Sequence, residues 1–289
     1  MFGEQEQVTV RELMTDDPER VSAGASVADV HEWLAEKGYT AAPVARDDPP
    51  HLYVTRAGLD EALPGAADEP VYKHAERVGL EDLVAPDAEF GELLAELEER
   101  PVYFVGWHGE VVGVVTRSDL NKPAAHAFLY TRVGELEMRL RDLVDAEGDW
   151  EGTLATEPAR DHDGCETEYD AVLQSYEKHA EADIQLRPID YTTFYQLQKS
   201  LRASPEAVEH LPFADVDAAD DAVDDVRNLR NQVAHYGNVV HTVDAEYLHS
   251  GRNVHELSEL YATMEETLDA LREWSDRETG ERPVGQASD

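Results

Sequence analysis

Apolar residues in the first 122 positions follow two alternating spacings, one typical of strands and one typical of helices. A short strand-like stretch from Val8 leads to a turn at Pro18. Ser26 then suits an N-cap, and the apolar residues after it recur every three or four positions, which predicts a helix ending at Gly38. The segment 64–70 has the Pro and Gly content of a linker. Between the first helix and this linker, strands are predicted at 41–45 and 51–55 and a second helix at 58–63.

The same order of elements recurs in the second half of this region. A strand-like stretch at 78–84 precedes a predicted helix whose apolar face includes Phe90 and Leu94. A predicted hairpin follows, with its turn at His108-Gly109. When the halves are aligned, AAPVA corresponds to RPVYFV and LYVTRAGL corresponds to GVVTRSDL. The chain therefore carries an internal repeat, which we place at 8–63 and 71–122.

The repeated residues resemble two tandem CBS motifs, which pack together as a Bateman module. The resemblance rests on LMTDDPERV and SVAD in the first copy and on GVVTRSDL in the second, and it covers residues 8–122. It implies an α/β fold for this region. It also implies an adenine nucleotide such as AMP or ATP as a regulatory ligand, with no cofactor required.

In the family that GVVTRSDL resembles, the Thr hydroxyl contacts a nucleotide phosphate and the Asp carboxylate binds the ribose hydroxyls. The matching residues are Thr116 and Asp119, and the adenine is expected near Val102 and Tyr103 on the adjacent strand. The first copy has Gly58 where the ribose-binding Asp belongs, so we expect one asymmetric site rather than two equivalent sites. A second interpretation stays open, because Thr116 and Asp119 are also good caps for the helix that follows.

After Pro123 the apolar spacing is helical throughout. Helices are predicted at 124–144, 166–186, 191–201, 215–236 and 246–274. The acidic segment 145–165 is predicted to be a long surface loop, and 277–289 to be a disordered tail. The predicted fold class is thus α+β, an α/β pair of CBS motifs followed by an all-α domain at 124–276.

The helix predicted over 221–236 carries a second informative pattern. At about 100° per residue, Arg227, Asn231 and His235 fall together on one side. Gly237-Asn238 is predicted to stop the helix just after His235. The apolar residues are predicted to form one buried stripe, comprising Val223, Val226, Leu229, Val233 and Tyr236.

The hexapeptide RNQVAH, from Arg230 to His235, resembles the ribonuclease signature of HEPN domains, small helical bundles that dimerise and cleave RNA without metal. Weaker likeness extends over 124–276 and includes 136–141 and 191–201. The resemblance implies His235 as the acid/base group, Arg230 as the residue that stabilises the phosphorane, and Asn231 as an orienting residue. It also implies an RNA substrate and a homodimer in which two motifs face each other.

A dimer also answers a geometric objection, because an ideal helix sets Arg230 and His235 about 140° apart. The alternative to a nuclease stays open. Arg227 suits an ion pair with Asp224 at i,i+3, and Arg230 suits one with Asp225 less well. The domain is then a non-enzymatic dimerisation scaffold that binds a partner protein, and the chain is an adenine-nucleotide sensor.

The composition of the chain indicates the salt concentration in which the protein works. The 289 residues include 63 Asp and Glu against 24 Lys and Arg, a formal net charge of −39. Because the carboxylates are spread along the chain, we interpret them as adaptation to the salt-rich cytoplasm of a halophilic organism, where charge repulsion is screened over roughly 3 Å at 1 M salt. This charge argues against nucleic-acid binding at low salt and says little at molar salt.

Other patterns exclude several kinds of protein. No apolar run approaches the roughly 18 residues of a membrane helix, and the N-terminus lacks the features of a signal peptide, so a cytoplasmic protein without membrane contact is expected. The single Cys165 forms no intramolecular disulfide. Asp161, His162 and Asp163 have no second ligand cluster beside them, so we predict no metal site.

Overall fold

A computed structural model describes residues 7–45, 51–160, 164–180, 186–241 and 252–280. The chain divides into two compact units, Met1–Phe128 with Asn238–Ser258 and Leu129–Gly237 with Glu259–Asp289. The segment 238–258, which the sequence analysis assigned to the helical domain, thus belongs to the first unit.

The first unit combines short strands with helices. Its strands are β1 (Thr15–Asp16), β2 (Val21–Ser22), β3 (Ala41–Ala45), β4 (Leu52–Thr55), β5 (Glu76–Arg77), β6 (Leu83–Val84), β7 (Val102–Trp107) and β8 (Glu110–Thr116). Its α-helices are α1 (Val10–Leu13), α2 (Val27–Lys37), α3 (Arg56–Ala66) and α4 (Phe90–Glu99). Short 3₁₀ helices lie at Val71–Lys73, Leu80–Asp82 and Arg117–Asn121.

Two strands are exchanged between the repeats. The sheet of the second repeat has the order β1-β8-β7-β6 and takes β1 from the first repeat. The sheet of the first repeat has the order β2-β3-β4-β5 and takes β5 from the second. Both exchanged strands pair in the antiparallel sense, with Thr15 opposite Val114 and Glu76 opposite Tyr53. The same pattern of pairing therefore occurs in both repeats.

Helix α2 shows how the local sequence produces these elements. The Ser26 hydroxyl accepts a hydrogen bond from the Asp29 amide at 3.1 Å, and Gly38 ends the helix with a φ of +70°. The inner face of α2 packs in the core of the first repeat, with Val27, Val30 and Leu34 buried. This helix is confirmed as predicted. Aromatic packing joins the two repeats, since the Tyr53 and Phe104 rings lie 5.0 Å apart.

Two predictions for the first unit were wrong. The stretch after Val8 contains helix α1, which begins where the Glu12 carboxylate accepts a hydrogen bond from the Thr9 amide at 2.9 Å. The predicted linker 64–70 begins inside α3, which contains Pro64 and continues to Ala66. Pro64 lacks the N–H that would bond to the carbonyl four residues earlier, so α3 continues past it with one hydrogen bond fewer in its last turn.

The described part of the second unit is helical. It contains most of α5 (Pro123–Glu147) and of α11 (Val254–Gly280), both of which begin in the first unit. The helices between them are α6 (Trp150–Ala155), α7 (Glu168–Ala180), α8 (Phe194–Arg202), α9 (Pro205–Val208) and α10 (Val216–Ala234). A 3₁₀ helix, Pro188–Tyr191, precedes α8.

A buried ion-pair network joins α5 to α11 in the second unit. Glu135 is 5% exposed and accepts hydrogen bonds from Arg132 at 2.7 Å, Arg139 at 2.9 Å and Arg272 at 3.0 Å. Arg132, 3% exposed, also pairs with Glu265. Burial raises the pKa of the Glu135 carboxyl, but the hydrogen bonds from Arg272 and Arg139 outweigh that effect and hold the pKa below its usual value.

The predicted surface loop 145–165 was wrong in its middle. Helix α6 lies there, with Trp150 5% exposed and Leu154 fully buried. The Asp149 carboxylate accepts a hydrogen bond from the Gly152 amide at 3.0 Å and so caps the helix. The acidic composition of the segment led to the loop prediction, although two of its residues belong to the core. The predicted tail was also wrong at its start, since α11 extends to Gly280, while 281–289 lie outside the described residues.

The end of α10 departs from the predicted pattern. Four of the five residues in the predicted stripe are buried, but Tyr236 is 76% exposed and has a φ of +52°. The Gly237 amide donates to the Gln232 carbonyl at 2.9 Å, the 6→1 bond of a Schellman motif, so Tyr236 occupies the left-handed position usually held by glycine. The helix stops one residue earlier than glycine at 237 implied, and Tyr236 leaves the apolar face.

Candidate functional site

Helix α10 positions the residues predicted for RNA cleavage. The Asp215 carboxylate accepts a hydrogen bond from the Ala218 amide at 2.9 Å at the first turn. Val223, Val226, Leu229 and Val233 are each 3% exposed or less and fix the helix against the core of the unit. The opposite side of the helix is therefore held toward solvent.

The three residues of the predicted catalytic set lie at the C-terminal end of this helix. Arg230 is half-buried, whereas Asn231 and His235 are exposed. His235 is the residue just after the helix, with a φ of −103° and a ψ of 11°. Within the described part of the chain, no hydrogen bond or ion pair engages the side chain of any of the three. Asn231 and His235 are adjacent, because the His235 amide donates to the Asn231 carbonyl at 3.2 Å.

Arg227 behaves differently from Arg230. It forms an ion pair with Asp224, as the sequence suggested, and its Nη1 donates to Gln198 Oε1 at 2.7 Å. The expected pair of Arg230 with Asp225 is not found among the described residues. Sequence reasoning missed Gln198, because its contact with α10 is made by residues 29 positions apart and has no local signal.

The predicted nucleotide-binding residues Thr116 and Asp119 lie together in the first unit. Asp119 Oδ2 accepts hydrogen bonds from the Thr116 amide at 2.6 Å and the Thr116 hydroxyl at 2.9 Å. Asp119 Oδ1 pairs with Lys122 Nζ at 2.7 Å, and Asp119 is 6% exposed. Both carboxylate oxygens are thus engaged, as in the capping interpretation that the sequence left open.

Lys122 ties this cluster to the start of the chain. Its ammonium also donates to the Leu13 carbonyl at 2.6 Å, to the Met14 carbonyl at 2.9 Å and to the Thr15 hydroxyl at 3.2 Å. A ligand that engages Asp119 must therefore compete with this ammonium. Sequence reasoning missed Lys122, although its i,i+3 spacing from Asp119 was visible in the sequence; its contacts with Leu13 and Met14, more than 100 residues away, have no local signal.

The two residues predicted to lie near an adenine point in different directions. Val102 is the cross-strand neighbour of Thr116. Tyr103 is 2% exposed and its hydroxyl bonds to Glu96 of α4. Burial, and then that hydrogen bond, raise the pKa of Tyr103 to about 12. Because side chains alternate along a strand, Phe104 and not Tyr103 shares a face with Val102.

The corresponding cluster in the first repeat is simpler. Thr55 Oγ1 accepts a hydrogen bond from the Gly58 amide at 3.1 Å and caps α3. Gly58 has no carboxylate to offer a ribose, and a Cβ added there would lie 3.0 Å from Thr55 Oγ1. The two repeats thus differ at the position on which the predicted asymmetry rests.

Two further observations bear on the kind of site. No cluster of three or more His, Cys, Asp or Glu that could hold a metal ion is found in the described residues. The candidate metal ligands Asp161, His162 and Asp163 lie outside those residues, and Cys165 is half-buried. None of the described helices is both long enough and apolar enough to cross a membrane.

Comparison with known proteins adds a likeness for the N-terminal part of the chain. No protein-family model matches the sequence, and no curated protein matches it. A CBS domain-containing protein of unknown function from Bacillus anthracis is 17% identical, with a TM-score of 0.35, and the match covers 40% of this chain and 92% of that one. The N-terminal region of the chain is thus similar to solved CBS-domain structures.

Two of the similar structures hold ligands. The CBS domain of a bacterial CNNM/CorC family Mg²⁺ transporter in complex with ATP is 22% identical, with a TM-score of 0.32, covering 39% of this chain and 84% of that chain. A CBS domain pair in complex with 5′-methylthioadenosine and S-adenosyl-L-methionine is 14% identical, with a TM-score of 0.34, covering 40% of this chain and 94% of that chain.

Proposed function

We propose that this protein is a metal-independent endoribonuclease of the HEPN type, acting as a dimer and regulated by an adenine nucleotide bound to its CBS pair. The observation that supports the nuclease is that the side chains of Arg230, Asn231 and His235 are left without polar partners among the described residues. They lie at the end of one well-anchored helix, and their side chains make no hydrogen bond or ion pair with other described residues. A cation, an amide and an imidazole are thus available to a ligand.

The chemistry of RNA cleavage suits these groups. The imidazole of His235 takes the proton of a ribose 2′-hydroxyl as the 2′-oxygen attacks the adjacent phosphorus. The bond from phosphorus to the 5′-oxygen breaks, and that oxygen receives a proton from the His235 of the second motif in a dimer. The products are a 2′,3′-cyclic phosphate and a 5′-hydroxyl. Arg230 stabilises the charge that develops on the phosphorane oxygens, because guanidinium matches phosphate in geometry and charge.

The nucleotide arm of the proposal rests on Thr116 and Asp119. An ionised carboxylate accepts two hydrogen bonds from a ribose diol, which requires Asp119 to exchange its present partners, Lys122 among them. Binding is therefore coupled to release of the Lys122 ammonium. Because Lys122 also holds the carbonyls of Leu13 and Met14, its release alters contacts elsewhere in the first unit.

A covalent route leads from this cluster to His235. Asn121, two residues after Asp119, holds the backbone of Val239 and Val240 by hydrogen bonds of 2.7 and 3.1 Å. His235 lies four residues before Val239 in the chain. A shift at Asn121 thus acts on a segment directly connected to the proposed catalytic histidine.

The test is an RNA cleavage assay in molar KCl with EDTA, comparing the wild-type protein with His235→Ala and Arg230→Ala, each with and without AMP or ATP. We expect cyclic-phosphate products from the wild type and at least a hundred-fold slower cleavage by His235→Ala, the scale of a lost general acid–base. His255→Ala is the matched control, because that histidine is exposed and pairs with Glu98 in the first unit.

Absence of cleavage by the wild type, or equal cleavage by wild type and His235→Ala, would contradict the nuclease. Unchanged rates with AMP and ATP would contradict the regulation alone. If the wild type does not cleave RNA but binds AMP, the non-enzymatic sensor is the function that remains.

A further inference from the structure

A polar cavity of about 650 Å³ lies in the second unit, a volume within the range of small-ligand sites. It is formed by α6, α8 and α10. The residues of its wall that matter here are Tyr195, Lys199 and Arg202 from α8 and Asp220, Asp224 and Arg227 from α10.

Three cations surround the ring of Tyr195. The guanidinium of Arg160 lies 4.6 Å from the ring centroid, the ammonium of Lys199 lies 5.5 Å from it, and the guanidinium of Arg227 lies 5.6 Å from it. All three distances suit cation–π interaction. The whole chain has 24 Lys and Arg among 289 residues, so this clustering places scarce positive charge around one half-buried aromatic ring.

Carboxylates hold the cations in place and balance their charge. Lys199 pairs with Glu157, Arg227 with Asp224, and Arg202 with Asp220. Arg160, beside Tyr195, is a fourth cation, and Asp217, 3.8 Å from Arg202, is a fourth carboxylate. The cluster is therefore neutral, which favours an anionic ligand relative to the rest of a chain whose net charge is −39.

Gln198 holds two charged residues of the cavity wall in fixed positions. It is 7% exposed, and its Oε1 accepts from Arg227 Nη1 at 2.7 Å while its Nε2 donates to Asp220 Oδ1 at 2.8 Å. Both ends of the amide are used, and they fix Arg227 and Asp220 on either side of it. The guanidinium of Arg227 is therefore oriented before any ligand arrives.

We propose that this cavity is the subsite for one nucleotide of a single-stranded RNA, with the base against Tyr195 and the phosphodiester at Lys199, Arg202 and Arg227. The proposal rests on the RNA-directed function proposed above and names a part of the substrate-binding surface. A neutral cluster suits the single negative charge of one phosphodiester better than the several charges of a free di- or triphosphate. Aromatic rings bind single-stranded nucleic acid by stacking on bases.

The face of α10 that borders the cavity continues to the proposed catalytic residues. Asp224, Arg227, Asn231 and His235 follow one another at intervals of three or four positions and so lie along one side. Arg227 and His235 are eight residues apart, about 12 Å along the helix axis. A strand leaving the cavity along this face thus reaches His235.

The test measures RNA binding without cleavage. A fluorescein-labelled oligouridylate with 2′-O-methyl riboses cannot be cleaved through its 2′-oxygen, and its binding to the full chain is followed by anisotropy over a series of KCl concentrations. We expect Tyr195→Leu to weaken binding about ten-fold or more, on the scale of one lost stacked base. Arg202→Gln should lower the slope of log K against log salt by about 0.7, as for one lost phosphate contact.

Matched controls separate the cavity from general effects. Tyr130→Leu removes a tyrosine of the same unit that is 50% exposed, and Arg277→Gln removes an exposed arginine from α11. Neither lines the cavity, and neither is expected to change the affinity or the salt slope. Circular dichroism of each variant shows whether it is folded, and Arg202→Gln, at a side chain 60% exposed, tests the cavity with little risk to folding.

The outcomes distinguish the two proposals. If the wild type cleaves RNA but Tyr195→Leu and Arg202→Gln bind the probe as tightly as wild type, the subsite is wrong and the nuclease stands. If the wild type binds the probe in a Tyr195-dependent way but cleaves no RNA, the subsite stands and the nuclease is wrong. If AMP or inorganic phosphate displaces the probe at equal concentration, the cavity binds a free anion and the assignment to RNA is overturned.

Discussion

Asn121 pairs with Val240 through both ends of its amide, although 119 residues separate them. Its Oδ1 accepts from the Val240 backbone N–H at 3.1 Å, and its Nδ2 donates to the Val240 carbonyl at 2.8 Å. Oδ1 also accepts from the Val239 N–H at 2.7 Å. Val239 and Val240 are fully buried, so one side chain satisfies three backbone groups in a segment that belongs to neither repeat.

Replacing Asn121 with Ala should therefore loosen the segment 238–241. Three buried backbone groups lose their partner, and we expect the free energy of unfolding to fall by about 2–4 kcal/mol. Hydrogen exchange at the Val239 and Val240 amides should accelerate. The control is Asn228→Ala, because Asn228 is exposed and makes one side-chain bond, to Asp224 at 3.0 Å. Unchanged exchange at both valines in Asn121→Ala would show that other contacts hold the segment.

Glu135 makes stability depend on acid. Its pKa is lower in the folded chain than in the unfolded chain, so its contribution is fully present above the unfolded value of about 4.5 and is lost as the pH falls through the folded value. We expect the free energy of unfolding of the wild type, measured with urea at constant molar KCl, to fall below about pH 4.5. In Glu135→Gln it should fall less over the same pH range. At neutral pH the same substitution should cost about 3–5 kcal/mol.

The matched control for Glu135 is Glu273→Gln, at an exposed position of α11 in the same unit. It should change the stability at neutral pH by less than about 0.5 kcal/mol. If Glu135→Gln retains the full acid decline of the wild type, the network of Arg132, Arg139 and Arg272 does not determine that part of the pH dependence.

Tyr236 should respond to substitution in an unusual direction. A left-handed backbone costs a non-glycine residue about 1 kcal/mol, and the Tyr236 side chain is 76% exposed, so Tyr236→Gly should raise the stability by about 0.5–1 kcal/mol. Tyr130→Gly, at a half-exposed position inside α5, should lower it by about 1 kcal/mol. Thermal unfolding measures both, and a loss of stability in both variants would mean that Tyr236 contributes contacts worth more than its strain.

Asp119 is the decisive residue for nucleotide binding. Asp119→Asn keeps the shape of the side chain but removes its charge, and we expect the Kd for AMP to rise at least ten-fold, as a charge-assisted hydrogen bond is worth about 1.5–3 kcal/mol. Asp82→Asn is the control, because Asp82 is equally buried and pairs with Arg100 in the same unit. Isothermal titration that gives equal losses for the two variants would assign the effect to stability and not to ribose binding.

The sequence was sufficient for elements that depend on neighbours in the chain. Ser26 and Gly38 mark the ends of α2 because caps act within one turn, and the buried residues of α10 follow from helical spacing. The prediction failed at Tyr236, because helical periodicity was extended into the left-handed position of the Schellman motif that ends the helix. Helix α6 was missed because its two buried apolar residues, Trp150 and Leu154, lie in a segment rich in acidic residues.

The candidate sites depend on contacts that no local pattern contains. Thr116, Asp119 and Lys122 are spaced at intervals of three, but the hydrogen bonds from Lys122 to carbonyls near the start of the chain have no counterpart in the local sequence. Tyr195 and Gln198 became candidates because of their contacts, Tyr195 with Arg160 and Gln198 with Arg227 of α10. Long-range packing, and not residue preference, decides which polar side chains face each other.

The exchange of β1 and β5 has a consequence for chains of half this length. A polypeptide carrying one repeat would leave the outer edge of its hairpin without a partner, exposing unpaired N–H and C=O groups. It could complete its sheet only with the first strand of a second copy. Covalent fusion replaces that encounter between molecules by an event within one chain, at an effective concentration of millimolar order. The N-terminal unit thus has the construction of a two-fold dimer whose subunits share a single polypeptide, and separating them would make folding depend on protein concentration.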